Sequence, residues 1–367
     1  MAEPNKQATN MNRPYRAPRS RRCDRPTPLG AALTLVAALG VAACKTPSAP
    51  PRVLPADPVT DGVMPGAGVG DLDRGVAFVT NGAFAEAIPY FDRSIAADPK
   101  NAQAHFYRGL CREETKDAAG AEADYKAAIA LDATLVEAAV NLGALYLKEP
   151  ARPAEAIAVL GPAAAKHPED ADLASNLAYA HQLQKEWDKA TAAFEQAIRA
   201  SGSADPAATA NLEFRLGAML VEAERREAAT EHLRKALPAF TSDAPTLMTI
   251  AHLFGQSRAY ADCVKAFDAA LAIKADEAEW YIQRGVCKHG AGNEEAARND
   301  YEAALKVEPG NAEAYYALGK SYLLDRKRLN AVSSFEKAVK LGGDGPFAKA
   351  AKQELERIAA EQKARGQ

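Results

Sequence analysis

A small residue returns along this 367-residue chain at nearly constant spacing: Gly75, Gly109, Gly143, Ala178, Gly217, Ala251, Gly285 and Gly319. The intervals are 34, 34, 35, 39, 34, 34 and 34 residues. Residues 278–311 show the unit most cleanly. An apolar-periodic run over 279–289 is interrupted at 290–293, and a second run over 294–307 carries Ala297, Tyr301 and Ala304 at helical spacing before Pro309. This pattern predicts an αα-hairpin, which cannot bury both apolar faces alone and must stack on copies of itself.

Two further ladders keep the same register. Small residues recur in the second run (Ala87, Ala121, Ala156, Ala190, Ala229, Cys263, Ala297, Ala331), and a large residue follows each by four positions (Phe91, Tyr125, Leu160, Phe194, Leu233, Phe267, Tyr301, Phe335). Six of the eight first-ladder positions are glycine. Glycine costs roughly 1 kcal/mol against alanine in mid-helix, so its repeated use predicts a close helix crossing, small residue facing small residue.

These ladders, with Pro99, Pro168 and Pro309 closing repeats, resemble the tetratricopeptide repeat family over about 68–345. The large residue expected early in each first helix is present only in places, as Leu247, Tyr281 and Tyr315. The resemblance implies an all-α fold, a right-handed α-solenoid of eight repeats at about 68–101, 102–135, 136–170, 171–209, 210–243, 244–277, 278–311 and 312–345. Such a solenoid grows by stacking and remains one unit despite its length.

Several local features modify that plan. Gly161-Pro162 in the second helix of the third repeat should kink or break it, whereas Pro153 suits a first helical position. Five extra residues near 201–206 predict a seam, with repeats one to three and five to eight as sub-blocks. Beyond the eighth repeat, residues 346–367 predict a helix with Phe347, Ala351, Leu355 and Ile358 along one stripe and charges opposite. That suits the polar-faced cover an open solenoid end needs.

The N-terminal region carries an address. Formal net charge is −3, yet residues 1–43 hold seven Lys and Arg against two acidic residues, leaving 38 basic and 46 acidic, or −8, in the remainder. Six arginines between 13 and 25 precede an apolar stretch over 29–43, long enough for a secretory signal and short of the roughly 20 residues that span a bilayer. It ends in Val41-Ala42-Ala43-Cys44, which resembles the lipobox of bacterial lipoproteins. The resemblance implies removal of 1–43 and acylation of Cys44. Lys45 stands where an Asp would retain such a protein at the inner membrane, which implies an outer-membrane lipoprotein facing the periplasm. Residues 44–67 contain six prolines and read as an extended tether, reaching about 70 Å at about 3.1 Å per residue.

Chemistry is sparse. The six histidines show no HExxH or Cys-paired spacing, and there is no P-loop, nucleophile elbow or dinucleotide fingerprint. The sequence therefore predicts no enzyme, no metal and no cofactor. The carboxylates are expected to scatter over solvated helix faces. Without a basic stripe, no nucleic-acid partner is expected. Cys111, Cys263 and Cys287 read first as small buried hydrophobes, with a Cys263–Cys287 bridge open to an oxidising compartment if adjacent helices bring the two together.

The expected partner is a protein or peptide. Offsets that face inward in the resembled family give Leu72, Val76, Phe106, Leu110, Val140, Tyr179, Phe214, Met248, His252, Ile282, His289, Tyr316 and Leu323. Asn141 and Asn176 resemble the asparagines with which some members hold a peptide backbone. The Lys/Asn clamp of chaperone-binding members is missing, because those faces carry Leu72, Phe106 and Val140. The groove set is Phe106, Asn141, Asn176, Tyr179, Phe214, Met248, His252 and Tyr316. The function implied is a lipid-anchored envelope scaffold, assisting a secretin or pilus machine or docking peptidoglycan-modifying enzymes.

Overall fold

The computed structural model describes residues 70–148, 150–202, 205–364 and 366. The targeting segment, Cys44 and the tether lie outside the described residues. Within them the chain forms seventeen α-helices and no strand. Each repeat supplies a first and a second helix: α1 (Asp71–Thr80) and α2 (Phe84–Ala97), α3 (Ala102–Glu114) and α4 (Ala118–Leu131), α5 (Val136–Leu147) and α6 (Pro153–Lys166), α7 (Ala171–Leu183) and α8 (Trp187–Ser201). Then come α9 (Pro206–Glu222) and α10 (Arg226–Ala236), α11 (Ala244–Gln256) and α12 (Tyr260–Ile273), α13 (Ala278–Gly290) and α14 (Glu294–Val307), and α15 (Ala312–Leu324) and α16 (Arg328–Gly342), closed by α17 (Pro346–Ala364). The architecture is an all-α solenoid.

The glycine ladder works differently in detail from small against small. A Cβ on Gly75, Gly143, Gly285 or Gly319 would sit 2.5 Å from the side chain of Phe91, Leu160, Tyr301 or Phe335, and one on Gly109 or Gly217 would sit 2.9 Å from Tyr125 or 2.7 Å from Leu233. The large knob of the second helix therefore lies directly on the glycine of the first. The alanine ladder (Ala87, Ala121, Ala156, Ala190, Ala229, Ala297, Ala331) is fully buried and lets the two helices approach.

The turn inside each hairpin is equally regular. Gly82, Lys116, Lys185, Glu224, Arg258, Gly292 and Arg326 all have positive φ. The following amide bonds back to a carbonyl five residues earlier, as in Asp117 N–H to Arg112 O at 2.7 Å and Asn293 N–H to Lys288 O at 2.9 Å. This is a Schellman-type stop, with a left-handed residue just past the helix end. The third repeat replaces it with its proline-containing turn, where the Arg152 amide donates to Tyr146 O.

Two sequence expectations are corrected. Helix α6 runs unbroken through Gly161-Pro162. Pro162 and Ala158, the residue whose carbonyl loses its partner, are both exposed, so water can satisfy the freed group. The extra residues after the fourth repeat do not divide the core either. Helix α8 runs on to Ser201 and α9 opens at Pro206, where Asp205 caps the Ala208 amide, and Ala178, Phe194, Leu212 and Leu216 share one apolar cluster across the junction.

The last helix caps the stack. Ala348, Ala351 and Ile358 of α17 are buried, Leu355 packs against the Phe335 cluster, and Phe347 tilts onto Tyr316 at 6.0 Å. Arg328 donates to the Ile358 carbonyl and Lys320 pairs with Glu354, so the middle of the cap is tied to the eighth repeat.

Candidate functional site

The first helices form one wall of the solenoid, and polar contacts run along it from repeat to repeat. Lys148 at the end of α5 pairs with Glu113 of α3, Gln182 of α7 donates to Glu222 of α9, and Glu279 of α13 acts on Glu313 of α15. The groove expected from the sequence lies on this wall, and the structure divides its members.

Tyr179, Met248, His252 and Tyr316 are half-buried, each with part of its surface open. Tyr179 and Met248 pack against the cores beneath them. His252 meets the edge of Phe267 at 5.5 Å, and burial lowers its pKa, which favours the uncharged ring. Tyr316 leans on Phe335 and Phe347, and burial raises its pKa.

Phe106, Asn141, Asn176 and Phe214 do not present a groove surface. Phe106 is fully buried against Tyr107 and Tyr125, and Phe214 meets the edge of Phe240 at 5.9 Å in the 3-10 turn Leu237–Phe240. Asn141 and Asn176 are 1% and 2% exposed, and Asn141 acts on the Tyr125 hydroxyl. Phe106 and Phe214 stand three residues before Gly109 and Gly217, on the face turned to the second helix of the same hairpin. Met248 and Tyr316 hold the same offset before Ala251 and Gly319 yet stay half open, so the offset alone does not decide burial. Rings packed on Phe106 and Phe214, those of Tyr125 and Phe240, help to close them. Leu110, Val140 and Ile282, also expected inward, are buried as well.

The wall also carries a titrating group that pattern reading missed. Burial, with a smaller contribution from the Glu279 charge, pushes the Glu313 carboxyl up to about 8. It is largely protonated at neutral pH and would ionise against a cation brought to it. The signal available in the sequence was the carboxylate at the second position of two consecutive first helices, Glu279 and Glu313.

Other carboxylates depart from the solvated role assigned to them. Asp124 is 3% exposed and takes Arg108 and Arg112, while Arg108 also reaches Asp92 of the preceding repeat. Asp300 is equally buried between Arg284 and Lys288, and Arg284 reaches back to Asp268. Asp262 and Glu213 are buried with Arg234 and His232 as partners. These groups hold neighbouring helices together.

The cysteines are corrected in part. Cys263 of α12 and Cys287 of α13 form a disulfide between the sixth and seventh repeats, with Cα atoms 6.1 Å apart. Cys111 is buried and free, its thiol pushed up to about 12 by burial and the nearby Glu114. Among the described residues no group of three or more metal-ligating side chains converges, and no helix is long and apolar enough to cross a membrane.

Models described as tetratricopeptide repeat match residues 72–135, 166–242 and 290–346. The chain is a tetratricopeptide repeat protein. No curated protein matches it significantly in sequence. Solved structures similar to this tetratricopeptide repeat chain include a repeat protein from Parabacteroides merdae, at 17% identity over 70% of this chain and 97% of that one (TM-score 0.41). The C-terminal part of a repeat protein from Cytophaga hutchinsonii aligns at 14% identity over 76% and 98% (TM-score 0.45). Pseudomonas aeruginosa PilF aligns at 20% identity over 61% and 98% (TM-score 0.37). The family and the wall of first helices make the tetratricopeptide repeat region a protein-interaction scaffold.

Proposed function

We propose that this protein is a lipid-anchored adaptor of the bacterial cell envelope. Its wall of first helices holds a segment of a protein partner and thereby assists assembly of an envelope complex such as a secretin or pilus machine. The observation that carries the binding half is the row of half-buried Tyr179, Met248, His252 and Tyr316, apolar and aromatic groups left partly open on three first helices, α7, α11 and α15. Aromatic anchors of this kind commonly dominate binding at interfaces. Glu313 and Glu279 add an acidic end to that wall, so the segment it suits combines apolar side chains with a Lys or Arg.

The address rests on two supports. One is the apolar run ending in Val41-Ala42-Ala43-Cys44. The other is the Cys263–Cys287 disulfide, which suits an oxidising compartment and would be short-lived in a reducing one. An acylated Cys44 would anchor the protein through the proline-rich tether and leave the solenoid free of the headgroups.

The experiment is affinity purification of the acylated protein from envelopes, beside a Tyr179→Ala, Tyr316→Ala variant. An envelope-assembly component that copurifies with the native chain and is lost from the variant is the expected result. Equal recovery with both would place binding elsewhere. Fatty-acid labelling that marks a Cys44→Ala protein as strongly as the native one would remove the anchor from this account.

A further inference from the structure

Between α10 of the fifth repeat and the turn joining α11 to α12 of the sixth lies a cleft of about 290 Å³, away from the residues assigned to the partner wall. Three arginines line it: Arg226, Arg234 and Arg258. Arg234 spends Nε and Nη2 on Asp262. Arg226 and Arg258 are exposed, and their guanidinium groups have no hydrogen-bond or ion-pair partner among the described residues. Glu227 is the one carboxylate in the lining, so the cleft carries an excess of positive charge.

The backbone adds to that charge. Arg226 opens α10 and Ala259 immediately precedes α12, and neither helix start has a side-chain cap. Amides left unpaired at a helix start favour an anion. A separate observation points the same way. Ser257 lines the cleft, is 8% exposed, and its hydroxyl has no hydrogen-bond partner. At the equivalent turn of the second repeat, the Thr115 hydroxyl donates back to Cys111 O at 2.8 Å. A buried hydroxyl without a partner costs free energy unless a ligand supplies one.

We propose that this cleft is an oxyanion site that takes a phosphate group, held by Arg226, Arg258 and the free edge of Arg234 and receiving a hydrogen bond from the Ser257 hydroxyl. Guanidinium groups match phosphate oxygens in pairs, and a tetrahedral anion can engage the arginines, the hydroxyl and helix-start amides together.

The test is calorimetric titration of the purified full chain with inorganic phosphate and, separately, with glycerol 3-phosphate, at constant ionic strength in chloride. Saturable one-to-one binding is expected. Tighter binding of the ester would mark a phosphate carried on a larger molecule, and tighter binding of the free ion would mark phosphate itself. An Arg226→Ala, Arg258→Ala variant should bind at least ~10-fold more weakly. Arg258→Gly gives a second variant that folds without strain, since Arg258 has φ +60° where glycine is at ease; it too should weaken binding. Ser257→Ala should weaken binding while leaving the phosphate-free melting point unchanged or higher. Absence of saturable binding, or undiminished binding by Arg258→Gly, would overturn the proposal.

Discussion

The second and seventh repeats are built on one plan, and the places where they part are informative. Both put a tyrosine ring on the ladder glycine, Tyr125 on Gly109 and Tyr301 on Gly285. Both precede that glycine with an arginine that clamps the buried aspartate of its own second helix and reaches back to the preceding repeat: Arg108 to Asp124 and Asp92, Arg284 to Asp300 and Asp268. They differ at four corresponding points. Cys111 is free and faces a repeat whose ladder residue is Ala87, whereas Cys287 is bridged because the sixth repeat has Cys263 there. Gln103 stands where the seventh repeat has Glu279. The left-handed turn residue is Lys116 in one and Gly292 in the other. The second cation on the buried aspartate is Arg112 in one and Lys288 in the other. The shared parts are what stacking requires, and the differing parts adjust how firmly a repeat is tied to its neighbour and what it offers at the wall.

The shared clamp should give the largest effect. Asp124→Ala and Asp300→Ala each strip two half-buried cations of the buried carboxylate they share, Arg108 and Arg284 keeping only Asp92 and Asp268, and each should cost about 3 kcal/mol or more. Chemical denaturation of both variants checks this; a cost below about 1 kcal/mol in either would break the equivalence of the two repeats.

The disulfide comes next. It closes a separation of 24 residues, so a Cys263→Ala, Cys287→Ala variant should lose about 3 kcal/mol by restoring freedom to the unfolded chain. The converse sharpens the comparison: Ala87→Cys places a second thiol opposite Cys111, and under oxidising conditions should form the missing bridge with a gain of similar sign. Mass spectrometry for the bridge and melting in the presence and absence of reductant read both.

Glu313 gives a smaller effect whose direction depends on pH. Its folded-state pKa is about 8, above the ordinary 4.5. Below about pH 4.5 the group is neutral whether folded or unfolded, and between 4.5 and 8 only the folded state retains the proton. Its contribution to stability is therefore greatest at low pH and is lost as pH rises to about 8. Glu313→Gln should flatten that slope and stabilise the protein at pH 8 by about 2 kcal/mol. Glu279→Gln, which copies Gln103 of the second repeat, should give a smaller change, because burial is the larger cause. Urea unfolding at pH 5 and pH 8 measures both.

The turn residue gives the smallest effect. Lys116→Gly should stabilise and Gly292→Lys destabilise by about 1 kcal/mol each, since only glycine holds φ near +70° without strain.

The ladders were legible because periodic packing writes itself at fixed offsets, but spacing paired Gly285 with the small Ala297, whereas the structure sets the Tyr301 ring on it. The burial of Asp124 and Asp300 was not legible, because a carboxylate looks the same in sequence whether it faces water or an arginine of the same hairpin. The division of the groove set was missed for a related reason. Phe106 and Phe214 share their offset from the ladder with Met248 and Tyr316, and which of the four closes depends on neighbouring rings such as Tyr125 and Phe240, which spacing does not display. Tyr179, one residue past Ala178, lies at a different offset and remains half open. Pro162 misled because its cost depends on whether the freed carbonyl is solvated, which sequence does not display.

Binding on the wall of first helices is tested most directly by photo-crosslinking from single positions in the native envelope. A photoreactive residue at Tyr179, Met248 or Tyr316 should capture the same protein partner, and one at exposed second-helix positions such as Glu195 or Glu336 should capture none. Capture from Glu195 or Glu336, with nothing captured at the three wall positions, would contradict the account.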